Sequence, residues 1–303
     1  GGGGSSSDID EPDALNIAVL SSSPDQVTGN SVLLGVEGDA DLTEQEAAEL
    51  ELWVNDQKTE PMRVTRRNGR VEVLIPGLTE GENRIELHHT ERGPLDSMTV
   101  TAYPETGPIF SGPQQYPFVC TSVSEWGRQP LVDTDGNTGF PVFEGGNQIG
   151  LSRDCSIEPF VTFVYRTTGG SYLPLPGDGS RPADMATTTL TDGREVDFVV
   201  RWERGTLNRF LYSFATLATL GDAAEAASTD KWNGRLLFQF EGGVAIGHTQ
   251  GRVSGRALAP EVLGKGYAVI YSSGTRTNAH YNLQVGGETA LMVKEHFIKR
   301  FGV

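Results

Sequence analysis

The sequence predicts two successive fold classes, an all-β sandwich and then an α/β domain. Between residues 16 and 103, short runs that alternate apolar and polar residues recur between turn residues, a pattern typical of half-buried strands in a sandwich. After about residue 235 the period changes, and strand-like runs alternate with helix-like runs, which favours parallel strands joined by helical crossovers. A stretch rich in Pro and Gly, residues 104–113, separates the two patterns.

The first pattern indicates a generic immunoglobulin-like or fibronectin-like module over residues 15–104, because no Cys…Trp…Cys spacing of an antibody domain accompanies it. Its strands are numerous enough to bury a core of their own. His88 and His89 are adjacent, so on a continuing strand they would point to opposite faces, which favours structural roles over a shared metal.

Residues 1–14 are rich in Gly and Ser and then acidic, which predicts a flexible linker. The segment resembles the tether that follows the lipidated cysteine of bacterial lipoproteins, and an expression linker is the alternative. The resemblance implies an extracellular, periplasmic or outer-membrane location, with a possible membrane tether through a lipidated N-terminus.

The net charge of −16, from 40 acidic and 24 basic residues, makes nucleic acid a poor candidate partner because the field of the protein would repel polyphosphate. Nowhere do eighteen apolar residues run together, so the sequence predicts no membrane-spanning helix. We predict no metal site and no cofactor.

Only two cysteines occur, Cys120 and Cys155, and neither has neighbours at a spacing suited to zinc. In an exported protein a disulfide is the natural interpretation, and it would restrict the unfolded chain by about 4 kcal/mol. Two separate buried thiols are the alternative.

Five elements are predicted downstream of residue 190, beginning with an antiparallel hairpin at the edge of the sheet. The alternation of residues 196–202 and the strand-like run 208–214 form that hairpin. Periodicity and end signals then predict a strand, a short helix, a buried strand and a longer helix, at residues 235–240, 255–263, 267–271 and 288–301.

Two motifs carry a resemblance to known enzymes: Trp-Asn-Gly-Arg at residues 232–235, which leads to Gly242 and Gly243, and Gly-Lys-Gly-Tyr at residues 264–267. They look like those of tannase and feruloyl-esterase relatives. Segments around Cys120 and at residues 129–133, 153–155 and 205–209 resemble an uncharacterised exported bacterial family of the α/β-hydrolase superfamily. The resemblance covers residues 116–303 and implies that residues 105–303 are the N-terminal half of an α/β-hydrolase domain, truncated before the nucleophile elbow.

The resemblance also implies a carboxylic ester hydrolase acting on a small-molecule or polymeric ester. In such enzymes the loop after the third strand carries one backbone N–H of the oxyanion hole, and here that loop is Gly242, Gly243 and Val244. An ordinary tight turn is the alternative. His248 is a candidate substrate contact, or else a local hydrogen-bonding residue.

The sequence departs from the family's pattern at the nucleophile, because the Gly-x-Ser-x-Gly motif that carries the catalytic serine does not occur in the 303 residues. We expect the serine beyond residue 303, in the remaining C-terminal part of the hydrolase domain, which would leave this chain without esterase activity and strand 267–271 with an unpaired edge. A triad from Ser272 with His280 or His296 is a weaker hypothesis, since the elbow glycine is missing. The rival function is a non-catalytic cell-surface binding or adhesion module.

One segment has the oxygen-ligand spacing of a calcium-binding loop: Asp133, Asp135 and Asn137 are followed by Glu144 at the twelfth position. Glycine is absent from the sixth position and Pro141 interrupts the loop, so a solvated Asx turn is favoured.

Overall fold

Strands dominate the regular structure of the protein. The computed structural model describes residues 14–134 and 136–302, and in these ranges it contains nineteen strands and four helices. The predicted linker falls almost wholly on residues 1–13, outside the described residues. The chain divides into two compact units, one comprising residues up to Ala102 and the other Tyr103–Phe301.

The first unit consists of two antiparallel sheets around one apolar core, which is the mostly β architecture predicted for this part of the chain. Its four-stranded sheet has the order β1-β3-β7-β6 and its five-stranded sheet the order β2-β9-β8-β4-β5. Alternate side chains of both sheets meet in the core, among them Leu34, Val73, Leu87 and Val100. The elements are β1 Asn16–Val19, β2 Val27–Thr28, β3 Val32–Glu37, α1 Glu44–Ala48, β4 Leu50–Val54, β5 Gln57–Thr59, β6 Arg63–Arg67, β7 Arg70–Ile75, β8 Gly81–His89 and β9 Gly93–Tyr103.

The two adjacent histidines of this unit have structural surroundings. A register shift between Leu87 and His88 interrupts the pairing of β8 with β9. His88 stacks on Trp53 with ring centroids 5.0 Å apart, and the buried His89 places Nε2 3.0 Å from a carboxylate oxygen of Glu49.

The second unit is built on a six-stranded mixed sheet with the order β13-β12-β16-β17-β19-β18. The short pairs β10–β11 and β14–β15 lie outside it. The elements are α2 Ser122–Trp126, β10 Phe140–Glu144, β11 Asn147–Ser152, β12 Phe160–Arg166, β13 Tyr172–Pro174, β14 Thr187–Thr189, β15 Glu195–Asp197, β16 Val199–Leu207, β17 Phe210–Ala218, β18 Leu236–Glu241, α3 Pro260–Leu263, β19 Ala268–Arg276 and α4 Leu283–Phe301.

The predicted hairpin exists as β16 and β17, but its position at the edge of the sheet is wrong. These two nine-residue strands occupy the middle of the sheet, with β12 on one side and β19 on the other. Every residue of β17 is buried, as a central strand covered on both faces requires. The expected unpaired edge at residues 267–271 is wrong as well, because β19 lies between β17 and β18 and the edge strand is β18.

The strands β18 and β19 are parallel to each other, and the helices that follow them pack on opposite faces of the sheet. Leu263 of α3 shares a core cluster with Val269 and Tyr271 of β19. Val293 and Phe297 of α4 share a different cluster with the intervening residues of β19, Ala268 and Ile270. Because alternate side chains of a strand point to opposite faces, the two helices cover opposite faces.

The face under α4 contains a buried charge network centred on Glu203 of β16, which is fully inaccessible to solvent. One carboxylate oxygen accepts from Arg201 Nη2 at 3.2 Å and from Arg300 Nε at 2.9 Å. The other accepts from the Tyr212 hydroxyl at 3.0 Å and lies 3.1 Å from His296 Nε2. Burial alone would raise the pKa of Glu203, but the hydrogen bond and charge of His296 and the two guanidinium groups lower it to about 2.

The long helix α4 begins five residues earlier than the sequence predicts. Asn282 accepts hydrogen bonds through Oδ1 from the backbone N–H groups of Gln284 and Val285, so it satisfies two donors of the first turn. Glu288, which the pattern placed in the first turn, is therefore inside the helix and fully buried. Its carboxylate accepts from the consecutive backbone N–H groups of residues 109–111. A buried carboxylate with this many donors stabilises the packing of that segment against α4.

Candidate functional site

The glycine loop singled out by the sequence, Gly242, Gly243 and Val244, begins where the edge strand β18 ends. The parallel pair keeps one register up to Gln239 of β18, shifts there, and ends where Glu241 pairs with Arg276 of β19. The Thr277 backbone N–H donates to the Glu241 carbonyl at 3.0 Å, so the loops that follow the two strands start side by side. The site therefore lies at the carboxyl ends of the two parallel strands of the sheet.

Gly243 is the one position of the loop where only glycine fits. Its φ is +137°, and a Cβ atom on it would collide with the backbone and Cβ of Asn278. Its carbonyl oxygen accepts a hydrogen bond from Thr277 Oγ1 at 3.0 Å. The neighbouring Gly242 has open space where a Cβ would go. The close approach of residues 277–278 thus fixes the direction of the Gly243 peptide.

The backbone N–H groups of this loop are free to bind a ligand. Among the described residues, no acceptor faces the N–H of Gly242, Gly243 or Val244. Gly242, Gly243 and Val244 are all exposed residues, Val244 to 77%. Backbone N–H groups held in place by neighbouring contacts are the type of donor that stabilises a developing oxyanion.

A cluster of charges borders the start of the loop. The Glu241 carboxylate accepts from the Tyr271 hydroxyl at 3.1 Å and lies 2.8 Å from Arg276 Nε. Arg256 forms a further ion pair with the same carboxylate, and its guanidinium lies 5.5 Å from the centroid of the Tyr271 ring. Burial raises the pKa of the Tyr271 hydroxyl, although the two arginines oppose the shift, so the phenol stays protonated at neutral pH.

His248, the predicted substrate contact, is exposed and points to a neighbouring segment of backbone. Its Nδ1 lies 3.3 Å from the Pro117 carbonyl oxygen, and its own carbonyl accepts from the Val119 N–H at 2.8 Å. The structure thus gives His248 the local hydrogen bond that was its alternative role. A substrate contact for His248 stays a prediction.

Gln250, which sequence reasoning missed, anchors the segment that follows the glycine loop. It is fully buried, and its side-chain amide donates to the carbonyls of Cys155 and Arg209 and accepts from the Thr121 N–H. No sequence signal identifies it, because its three partners lie 41 to 129 positions away.

Ser272 and Ser273 lie inside β19 and are fully buried, whereas the sequence pattern placed them after a strand ending at residue 271. Ser273 Oγ donates to the Gln250 carbonyl, and Ser272 Oγ accepts from the Gly274 N–H at 3.1 Å. His280 Nε2 lies 2.6 Å from the Gly274 carbonyl oxygen, and burial lowers the pKa of its imidazole. His296 belongs to the Glu203 network. No serine–histidine pair of the weaker hypothesis is formed.

The predicted disulfide between Cys120 and Cys155 is confirmed. Both residues are buried, in a cluster with Phe118 and Phe210, and no free cysteine remains in the described chain. The bond links residues 35 positions apart, and the Cys155 carbonyl accepts from Gln250, so it supports the segment that follows the glycine loop.

Reduction of this disulfide is expected to lower the free energy of unfolding by about 4 kcal/mol, the loop-closure estimate for a 35-residue separation. Urea unfolding of the oxidised chain and of a Cys120→Ser/Cys155→Ser variant measures the difference. Alkylation without reductant should leave the intact mass unchanged. Two labels on the unreduced chain would contradict the prediction.

The segment that echoes a calcium loop is engaged in other contacts. Asp133 accepts from the backbone N–H groups of Arg153 and Asp154 through its two carboxylate oxygens, at 2.6 and 3.0 Å. Asp135 lies outside the described residues. Over residues 14–134 and 136–302, no three His, Cys, Asp or Glu side chains group as metal ligands.

Within the same ranges no helix has the length and apolar character needed to cross a membrane.

Comparisons with solved structures reveal only distant similarity. The Bacteroides ovatus mixed-linkage glucan utilization locus protein SGBP-B, in complex with a mixed-linkage heptasaccharide, is 14% identical, with a TM-score of 0.20 over 61% of this chain and 43% of that one. The S-layer protein rSbsC is also 14% identical, with a TM-score of 0.20 over 66% of this chain and 34% of that one. A pullulanase from Anoxybacillus sp. LM18-11, in complex with maltotriose, is 8% identical, with a TM-score of 0.19 over 71% of this chain and 31% of that one.

The chain spans less than half the length of each of these proteins, and TM-scores this low carry no argument about its fold or function. None of the curated proteins matches the sequence. A family model does match, and it covers residues 17–303, which include the glycine loop and both motifs that resemble tannase. The chain therefore belongs to the tannase-like family of unknown function DUF6351.

Proposed function

We propose that this chain supplies the oxyanion loop of a secreted or lipid-tethered serine hydrolase that cleaves carboxylic esters. The observation that carries the proposal is the set of free N–H groups at Gly243 and Val244, held beside Thr277 and Asn278 at the ends of two parallel strands. Membership of a tannase-like family supports an esterase-like activity. In this proposal residues 15–104 form the accessory sandwich and residues 105–303 the N-terminal half of an α/β-hydrolase domain.

The topology of the sheet supports a place for the nucleophile strand. Crossovers between parallel strands are right-handed, so helices on opposite faces move the chain in opposite directions across the sheet. The connection through α3 moves from β18 to β19. A parallel strand after α4 would therefore lie beyond β18, as seen from β19, and pair with the outer side of β18, which has no partner among the described strands.

Such a strand would make the glycine loop central to the site. In open α/β sheets, ligands bind outside the carboxyl ends of the strands, at the point where the strand order reverses direction. Here that point lies between β18 and the added strand, next to Gly242 and Gly243. A serine at the carboxyl end of the added strand would face the free N–H groups of the loop.

The proposed chemistry follows from this placement. The serine oxygen attacks the ester carbonyl, and the N–H groups of Gly243 and Val244 donate to the oxygen of the tetrahedral intermediate. The Gly243 peptide is already oriented by Thr277 and Asn278, so binding the oxyanion requires little reorganisation. Val244 and Ile246 give the site an exposed apolar border, which suits the body of a small or polymeric ester.

The complete gene product and the 303-residue chain should differ in reaction with a fluorophosphonate probe. We expect the complete protein to hydrolyse a p-nitrophenyl ester and to carry the label on a serine beyond residue 303. The 303-residue chain should show neither turnover nor label. Its Ser272 and Ser273 are buried, and their hydroxyl groups are engaged in hydrogen bonds with backbone atoms. Peptide mapping by mass spectrometry identifies the labelled residue.

A label on Ser272 of the isolated chain would place the active site within these residues and contradict the proposal. A complete protein that neither reacts with the probe nor turns over esters would favour the rival function, a non-catalytic surface module for binding or adhesion.

A further inference from the structure

A cluster of aromatic rings and guanidinium groups lies on the sheet face opposite α4. Arg204 of β16 has its guanidinium carbon 3.8 Å from the Trp202 ring centroid and 4.5 Å from that of Phe160. Arg128 lies over Phe160 as well, at 4.2 Å. Trp126 meets Phe160 edge-on, with the centroids 5.7 Å apart. We call these five residues the arginine–aromatic stack.

Strand register and a helix end explain how the stack forms. Phe160 of β12 pairs directly with Arg204 of β16, and Trp202 lies two residues earlier on the same face. The helix α2 ends at Gly127, whose left-handed conformation, φ +66°, turns the chain back after Trp126. That turn carries Arg128 to the ring of Phe160.

Both guanidinium groups of the stack lack an acidic partner. No carboxylate within the described part of the chain forms an ion pair with Arg128 or Arg204. The one side-chain acceptor for Arg204 is Thr162 Oγ1, at 2.7 Å, and its buried Nε has no partner. Glu203 is adjacent in sequence, but its carboxylate serves Arg201 and Arg300 on the other face of the sheet.

Two cations against one aromatic ring, neither with an acidic partner among the described residues, are unusual in a chain with a net charge of −16. Other arginines of this unit form ion pairs with carboxylates: Arg201 and Arg300 pair with Glu203, and Arg276 pairs with Glu241. Burial and, to a smaller extent, the positive charge of Arg128 lower the pKa of Arg204 to about 10. An apolar side chain could fill this space without the repulsion, so packing alone does not explain the pair.

We propose that Arg128 and Arg204 bind an oxyanion group, a carboxylate or a sulfate, of an organic ligand. A guanidinium that stacks on an aromatic ring keeps its edge of N–H donors free, and that edge matches the two oxygens of such a group. The edges of Trp126 and Phe160 would contact the ligand's carbon skeleton. This site uses none of the groups assigned to the oxyanion loop, so it stands independently of the proposed esterase function.

Titration of the 303-residue chain with sodium glucuronate and with sodium sulfate tests the proposal, at an ionic strength held constant with sodium chloride. Trp202 and Trp126 lie in the stack, so saturable quenching of tryptophan fluorescence reports binding. Neutral glucose is the control ligand. We expect quenching by at least one of the two anions and none by glucose.

Arg128→Gln and Arg204→Gln should each weaken that binding by about tenfold or more, because each removes a charge-assisted contact. Arg92→Gln is the matched control and should bind like the unmodified chain, because Arg92 is an exposed arginine of the first unit that pairs with no carboxylate of the described residues. Arg128 is exposed, so its variant is expected to fold even if the Arg204 variant does not.

The two anions identify the source of the oxygen group. Saturable binding of glucuronate alone assigns a carboxylate ligand, and saturable binding of sulfate alone assigns a sulfated one. Binding of both anions shows a site that accepts either group. Absence of saturable quenching by either anion would overturn the proposal. Equal affinity of the Arg128→Gln variant and the unmodified chain would also overturn it.

Discussion

Replacing Glu203 with glutamine is expected to lower the free energy of unfolding by about 3 to 5 kcal/mol. The carboxylate is fully buried and is shared by Arg201, Arg300, Tyr212 and His296. Glutamine has nearly the same shape, so packing is retained while two guanidinium groups lose their counter-charge. An uncompensated buried charge is among the few changes that destabilise a protein by this much.

Urea unfolding followed by tryptophan fluorescence measures the effect, since Trp126, Trp202 and Trp232 all belong to the second unit. Glu195→Gln is the matched control, because Glu195 is exposed and at the end of a short hairpin, and it should change stability by less than about 0.5 kcal/mol. Equal stability of the two variants would show that the Glu203 network contributes little.

The same carboxylate predicts how the effect depends on pH. The pKa of Glu203 falls from 4.5 to about 2 on folding, so the native state holds the charged form more strongly than the unfolded chain does. Its contribution is fully present above pH 4.5 and is lost as the pH falls towards 2. The difference in stability between the unmodified chain and Glu203→Gln should therefore shrink as the pH falls from 4.5 towards 2.

Replacing Gly243 with alanine is expected to lower the kcat of the complete gene product about a hundredfold or more, if the loop forms the oxyanion hole as proposed. The added Cβ would collide with Asn278, and φ +137° is unfavourable for alanine. The peptide between residues 243 and 244 must then turn, which removes the N–H of Val244 from its place. The loss should fall on kcat, because the donor acts on the charge that develops in the transition state.

The loop contains its own control for this experiment. Gly242→Ala adds the same methyl group one residue earlier, where nothing lies within 4 Å, and it should leave kcat within a few-fold of the unmodified enzyme. Hydrolysis of a p-nitrophenyl ester under single-turnover conditions compares the two variants. Equal rates for the two would remove the Gly243 peptide from the mechanism.

Several elements of the second unit could be predicted from local pattern, and their places in the sheet could not. Alternation located the strands at residues 199–207 and 210–218 within a few residues. Their central position depends on which other strands pair with them, and β19 is 50 residues or more further along the chain. The strand β19 itself is longer than predicted, because Ser272, Ser273 and Thr275 are polar but have their hydroxyl groups satisfied by backbone atoms.

The candidate site shows the same division between local and distant information. Two glycines after a strand are visible in the sequence, and so is the disulfide, since only two cysteines exist. The contact of Gly243 with Asn278 and the anchoring by Gln250 join residues 35 or more positions apart. The network of Glu203 and His296 likewise spans 93 positions, so no spacing rule could detect it.

The strand β16 places Glu203 and Arg204 on opposite faces, each in surroundings of fixed chemistry. A one-residue slip would turn every side chain of the strand to the other face, so that Glu203 would leave Arg300 and His296, and Arg204 would take its place beside Arg300 without a counter-charge. The register of this strand is therefore specified by charge as well as by apolar alternation. Across related chains, the number of residues between the start of β16 and Arg204 should keep the same parity, so that insertions or deletions survive there only in pairs.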